Sequence, residues 1–240
     1  MQQASVNNAS KATATQRVAV LISGNGSNLQ AIIDAPFRGQ SYEVALVLSN
    51  RPQAYGLQRA EEAGIPHQAI DHTEFESRET FEQALIDVIE QYDVDYVILA
   101  GFMRILSPVL TQKYLGRMLN IHPSLLPKYR GLHTHRRALE AGDKTHGLSI
   151  HFVTEELDGG PVILQAQCPI EENDTEASLK AKVHELEHQA YPLAIDAVAK
   201  GIIRYNPASQ QAEFQGKRLD APLSMEALSH SATLHPDATP

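Results

Sequence analysis

The apolar positions of this chain switch repeatedly between two spacings. Short, nearly unbroken apolar runs stand at 17–23, 42–50, 94–102 and 116–122. Runs of that length, bounded by turn residues, suit strands buried on both faces. Between them, apolar residues recur at helical intervals over 27–35, 54–64 and 77–92, the last placing Phe81, Leu85, Val88 and Ile89 on one face. A short piece at 67–70 reads as a further strand. Ser107 before Pro108 reads as a helix start, a hydroxyl cap with proline in the first turn. Two later runs, 146–153 and 160–170, leave no room for a crossover helix between them and predict an antiparallel pair. A long helix is predicted over 175–201.

Strands and helices alternating in this order predict an α/β fold: a Rossmann-like, mostly parallel twisted sheet with helices on both faces and antiparallel late strands. No internal repeat or linker interrupts 17–205, so those residues are expected to form a single domain. Residues 1–16 are polar and aperiodic and predict a disordered leader; residues 206–240 predict a C-terminal extension, partly disordered, with no element assigned over 220–240.

Composition narrows the functional classes. With 240 residues, 42% of them hydrophobic, the chain can bury a sizeable core. A formal charge of −9 and the lack of a dense Lys/Arg run argue against a nucleic-acid surface, while leaving a single small anion open as a ligand. The lone cysteine, Cys168, excludes an internal disulfide and reads as a small buried hydrophobe. No apolar run approaches the roughly 20 residues that span a bilayer, and the first residues lack the apolar centre of a signal peptide. A cytoplasmic protein without a membrane partner is expected.

Two places carry chemistry. Gly24 and Gly26 follow the first strand and open the first helix. Glycines there permit a left-handed backbone and close approach of a ligand, and free N–H groups at a helix start favour an anion. Leu29 occupies the third glycine position of a dinucleotide fingerprint, and the second strand ends in Ser49, Asn50 and Arg51 rather than an acid. A monophosphate is therefore favoured over NAD. Further on, Asn120 and His122 end a strand just before Pro123. Two residues apart on a strand, both side chains face one side, at the edge where open α/β sheets bind ligands. An amide and a protonated imidazole suit an oxyanion formed when an amine attacks a carbonyl. Asp158, in a Gly-rich turn between the late strands, is a carboxylate placed to keep that imidazole cationic.

The segment 184–188, His-Glu-Leu-Glu-His, matches a zinc-protease pattern, and 133–135 holds two histidines. The helix face around the first is an ordinary core stripe of Leu179, Val183, Leu186, Ala190 and Leu193, so no metal is expected.

The stretches at 21–33, 99–108, 119–135 and 152–165, in that order, resemble the folate-dependent phosphoribosylglycinamide formyltransferase family over about residues 17–205. The Asn-Ile-His-Pro segment is shared with methionyl-tRNA formyltransferases and formyltetrahydrofolate hydrolases. Gly-Asn-Gly-Ser-Asn at 24–28 sets the nucleotide branch apart, as does the expected lack of a further C-terminal domain. The resemblance implies 10-formyltetrahydrofolate, a reduced folate, as formyl donor and glycinamide ribonucleotide as acceptor, with no metal and a monomer or homodimer as the working unit. It implies Asn120, His122 and Asp158 as the catalytic trio. It assigns Gly26, Ser27, Asn28 and Glu187 to the nucleotide. To the folate it assigns Arg78, Met103, Arg104, Ile105 and Leu106, with Asn120 beside them; His151 has a supporting role. The alternatives from sequence are another folate formyltransferase and a non-catalytic phosphoribosyl-binding module.

Overall fold

The structure, a computed structural model, describes residues 15–233. A seven-stranded sheet runs through the chain in the order β3-β2-β1-β4-β5-β6-β7. Its members are β1 (Gln16–Ile22), β2 (Tyr42–Ser49), β3 (His67–Ala69), β4 (Tyr96–Leu99), β5 (Met118–His122), β6 (Thr145–Phe152) and β7 (Val162–Pro169). The first five are parallel; β6 runs antiparallel to β5, and β7 antiparallel to β6, as the short link at 153–161 requires of that last pair. The strand order reverses at β1, which lies between β2 and β4. That reversal opens a crevice at the carboxyl ends of the strands.

Alternation along β1 explains why there are two cores. Val18, Val20 and Ile22 pack with α1 (Ser27–Asp34) and α6 (Glu176–Ala199), whereas Ala19 and Leu21 pack with α3 (Arg78–Ile89) and α4 (Pro108–Lys113). The remaining helices of the main layer are α2 (Tyr55–Glu62) and α5 (Thr134–Glu140). Helix starts follow local chemistry. Ser77 and Thr175 cap α3 and α6 with reciprocal side-chain bonds to Thr80 and Ser178. Ser107 caps α4 ahead of Pro108, the start predicted from sequence.

The expectations differ from the structure at the carboxyl end. Residues 203–218 form a small antiparallel sheet of β8 (Ile203–Asn206), β9 (Gln211–Phe214) and β10 (Lys217–Arg218), and α7 (Met225–Thr233) follows. The sequence predicts no element over 220–233, whose anchorage by backbone bonds and by Leu223, Met225 and Leu228 is too sparse for a periodic signal. The Leu223 N–H donates to the Ile163 carbonyl at 3.0 Å, and the Gln165 N–H donates to the Leu223 carbonyl at 3.0 Å. The segment thereby covers the edge of β7. Leu228 is fully buried in the core that holds α6. Of the expected leader, residues 1–14 lie outside the described residues, and Gln16 already belongs to β1.

Leu228→Ala is expected to lower unfolding free energy by about 2–5 kcal/mol, as for a buried leucine elsewhere. Urea denaturation measures it. An unmoved midpoint would show that α7 docks without contributing to the core.

Candidate functional site

The loop after β1 is built by close contact. Gly26 takes the left-handed conformation (φ 75°) at the cap of α1, and a β-carbon there would meet the Gly56 Cα at 2.7 Å. The Gly56 N–H donates to the Gly24 carbonyl at 3.0 Å. Arg59 of α2 clamps the loop from outside, its Nε donating to the Asn25 carbonyl at 2.9 Å and its Nη2 to Asn25 Oδ1 at 3.1 Å. No side chain caps α1, so its first N–H groups, at Ser27 and Asn28, remain open to an acceptor.

Asn28 joins this loop to α6. Its Nδ2 donates to Glu187 Oε2 at 2.9 Å, and its Oδ1 is buried with no protein partner. Glu187 is 4% exposed, and burial pushes its carboxyl up to about 7, against the smaller opposing effects of the Asn28 bond and Lys180. One helical turn on, the Tyr191 hydroxyl is shared between the carbonyls of Leu99 (2.9 Å) and Leu119 (3.2 Å), the last residues before Ala100 and Asn120. Helix α6 thus carries the carboxylate tied to the glycine loop and fixes the ends of β4 and β5.

Asn120, His122 and Asp158 meet at the end of β5. In register, Asn120 faces His151 and His122 faces Ser149 across β6. His122 Nδ1 lies 3.4 Å from Asp158 Oδ2, both side chains 7% exposed. His122 Nε2 lies 2.9 Å from the Tyr129 carbonyl, which can only accept. Both ring nitrogens therefore face acceptors, and only the imidazolium donates from both. Asp158 Oδ2 also accepts from the Gly131 N–H at 2.8 Å. The segment 129–131 thereby grips both members of the pair.

His151 orients the amide. Its Nδ1 lies 2.9 Å from the Phe152 carbonyl and so carries the proton, leaving Nε2 as an acceptor. Asn120 Nδ2 donates to that Nε2 at 3.2 Å. Burial lowers the pKa of His151 and keeps it neutral, outweighing the Phe152 bond and the Asp158 charge. The amide nitrogen of Asn120 is thus turned to this side, with a second N–H left for another acceptor.

Beyond β4, the segment carrying Met103, Arg104, Ile105 and Leu106 forms the rim of the crevice. Met103 and Ile105 are more than half exposed, and Leu106 packs partly against the second core. Glu82 of α3, buried, holds the far end of the segment by accepting from the Ser107 N–H (2.7 Å), the Ser107 hydroxyl and the Leu110 N–H (3.3 Å). Arg78 opens α3, and Phe81 three residues later stacks on Phe102 beside Met103. The structure thus gathers the sequence-identified residues into an amide–imidazole–carboxylate cluster, a glycine loop tied to Glu187, and an exposed rim. The residues 184–188 are accounted for by Glu187 and by stacking of His184 on His188. Among the described residues, no group of three or more potential ligands is arranged to hold a metal ion. Sequence reasoning passed over Glu82 and Tyr191. The sequence signals for them are slight: an acid next to Phe81 and a tyrosine one turn from Glu187.

A protein-family description, "Formyl transferase", matches residues 16–195. Phosphoribosylglycinamide formyltransferase of Escherichia coli is 53% identical over 203 residues, covering 84% of this chain and 95% of that one. The Haemophilus influenzae protein of the same name is 47% identical over 190 residues, covering 79% and 90%. The solved structure of phosphoribosylglycinamide formyltransferase from Coxiella burnetii superposes with a TM-score of 0.83 at 49% identity, covering 88% of this chain and 99% of that one. An aligned fold of this extent, around a strand end that pairs an amide with an imidazole and a carboxylate, places the chain in the formyl transferase family.

Proposed function

We propose that the chain transfers the formyl group of 10-formyltetrahydrofolate to the amine of glycinamide ribonucleotide, a step of purine biosynthesis, releasing tetrahydrofolate. The observation that carries this reading is the interlocked Asn120, His122, Asp158 cluster at the sheet's ligand-binding edge. The domain that performs it spans residues 17–205, and residues 206–233 extend it, pairing with the edge of β7 at Leu223.

The chemistry follows from the donors. The neutral amine attacks the formyl carbon, and its lone pair forms the new C–N bond while the carbonyl pair moves to oxygen. The second N–H of Asn120 and the His122 imidazolium stabilise that oxyanion. The tetrahedral carbon then collapses, breaking the bond to the folate nitrogen, which takes a proton from His122 directly or through water. Asp158 holds the charge on His122 and receives the proton lost by the amine, through water. The His122 Nε2 bond to the Tyr129 carbonyl must open for that nitrogen to reach the substrate. The ribonucleotide phosphate sits on the N–H groups at Gly26, Ser27 and Asn28, with Glu187 on the sugar side. The folate lies along Met103, Arg104, Ile105 and Leu106, with Asn120 at its reacting end and Arg78 at the rim. The acidic chain and its apolar rim fit small substrates, and no helix among the described residues is long and apolar enough to cross a membrane.

A direct assay tests the activity: protein, 10-formyltetrahydrofolate and glycinamide ribonucleotide are mixed and folate absorbance is followed. Asp158→Asn is expected to lower kcat by two orders of magnitude or more with KM kept within a few-fold. Asn120→Ala is expected to cost about 3 kcal/mol of barrier, as for an oxyanion donor. Unchanged turnover in Asp158→Asn would remove that carboxylate from the scheme.

Glu187 gives a pH signature. Its carboxyl titrates near 7 when folded and near 4.5 when unfolded, so the native state binds the extra proton between those values. Stability contributed at this site is therefore present below about pH 4.5 and lost as pH rises through about 7. Glu187→Gln is expected to gain stability over wild type progressively across that window, by roughly 3 kcal/mol at the alkaline end. Denaturation curves at pH 5 and pH 8 compare the two; a pH-independent difference would contradict it.

A further inference from the structure

Two of the loops that bind substrate in the reading above start from neighbouring strands, β1 and β4, and diverge. The ladder between them ends where the Ala100 N–H donates to the Leu21 carbonyl at 2.9 Å. Past that point one side chain bridges the gap. Ser23, 3% exposed, accepts from the Met103 N–H at 2.8 Å and donates to Asn50 Oδ1 at 2.6 Å. Asn50 is fully buried at the end of β2, and its carbonyl lies 2.9 Å from His72 Nδ1. The hydroxyl is thus fixed from both sides. Its backbone leads directly into Gly24 of the anion loop, and its donor is the first residue of the exposed rim at 103–106.

We infer that Ser23 is a positioning residue that couples the two substrate sites, so that a nucleotide ordering the loop at 24–28 also sets the rim at 103–106 for the folate. This rests on the formyl-transfer reading of those loops. The physical ground is the geometry of one short side chain. Ser23 cannot shift with its loop without moving the Met103 N–H that it accepts from, or else leaving that donor and Asn50 Oδ1 without partners. A bond that only held the fold would lower stability and weaken both ligands alike. A coupling residue changes how each ligand affects the other, reciprocally.

The test uses the full chain with tetrahydrofolate and glycinamide ribonucleotide, a pair that binds without reacting because no formyl group is present. Calorimetry gives the affinity for each ligand alone and in the presence of the other, for wild type, Ser23→Ala and Ser23→Thr. Wild type is expected to show at least about fivefold mutual enhancement. Ser23→Ala is expected to lose it to within twofold of none, and Ser23→Thr, which keeps the hydroxyl, to retain it. Absence of enhancement in wild type overturns the inference, as does full enhancement in Ser23→Ala. Should Ser23→Ala not fold, Asn50→Ala, which removes the acceptor that fixes the hydroxyl, is read the same way. Wild type inactive in the formyl-transfer assay would sink the functional reading; active wild type without enhancement would sink only the coupling.

Discussion

A parallel sheet ends badly: its last carbonyls and N–H groups point off the strands with no ladder to receive them. Here one buried hydroxyl, Tyr191, takes up the carbonyls of Leu99 and Leu119 together. Because it stands on α6 one turn from Glu187, that contact locks the helix to the tips of β4 and β5. The edge that results is held where Asn120 begins the amide–imidazole–carboxylate corner, and the loops beyond it can be irregular. Serine, asparagine and carboxylate side chains satisfy those loops in place of the ladder, as Ser23, Asn50 and Glu82 do.

The amide–imidazole–carboxylate corner is itself a matter of acceptors. The Tyr129 carbonyl and Asp158 bracket one imidazole, while the Phe152 carbonyl fixes the proton position on another. Two histidines of similar burial thus have opposite tasks. His122 is presented with acceptors on both nitrogens, and His151 is held neutral to direct an amide. The difference lies in backbone groups that no residue-type pattern records. Tyr129 and His133 both hold positive φ, at 57° and 60°, with Gly131 between them at 78°. The segment that supplies the carbonyl therefore turns in a way that side-chain identity alone does not announce.

Much of the fold was legible because its signals are local. Unbroken apolar runs gave β1, β2, β4 and β5, and the serine–proline pair gave the start of α4. The two-residue spacing of Asn120 and His122 puts both on one side of β5, opposite Ile121. What stayed hidden depends on distant partners. The helix at Met225–Thr233 rests on Met225 and Leu228, and the chain ahead of it is tied to β7 by the backbone bonds of Leu223, which leave no periodic trace. Glu82 looks like a solvated helix residue until the Ser107 donors are found above it. Ser23 reads as an ordinary residue ahead of a glycine turn, since its two partners are 80 and 27 positions away.

The pairing of β5 with β6 has a bearing on how such a chain can vary. Ile121 and Ile150 face each other toward the core, whereas Asn120 and His151 share the opposite side. A strand's sidedness has the parity of its residue count. Loss or gain of one residue within β6 would exchange the imidazole for a hydrocarbon and drive the imidazole into the core. Length changes can accumulate in the exposed turn at 207–210 and in other surface turns, while the eight positions from Thr145 to Phe152 must be inherited as a fixed count.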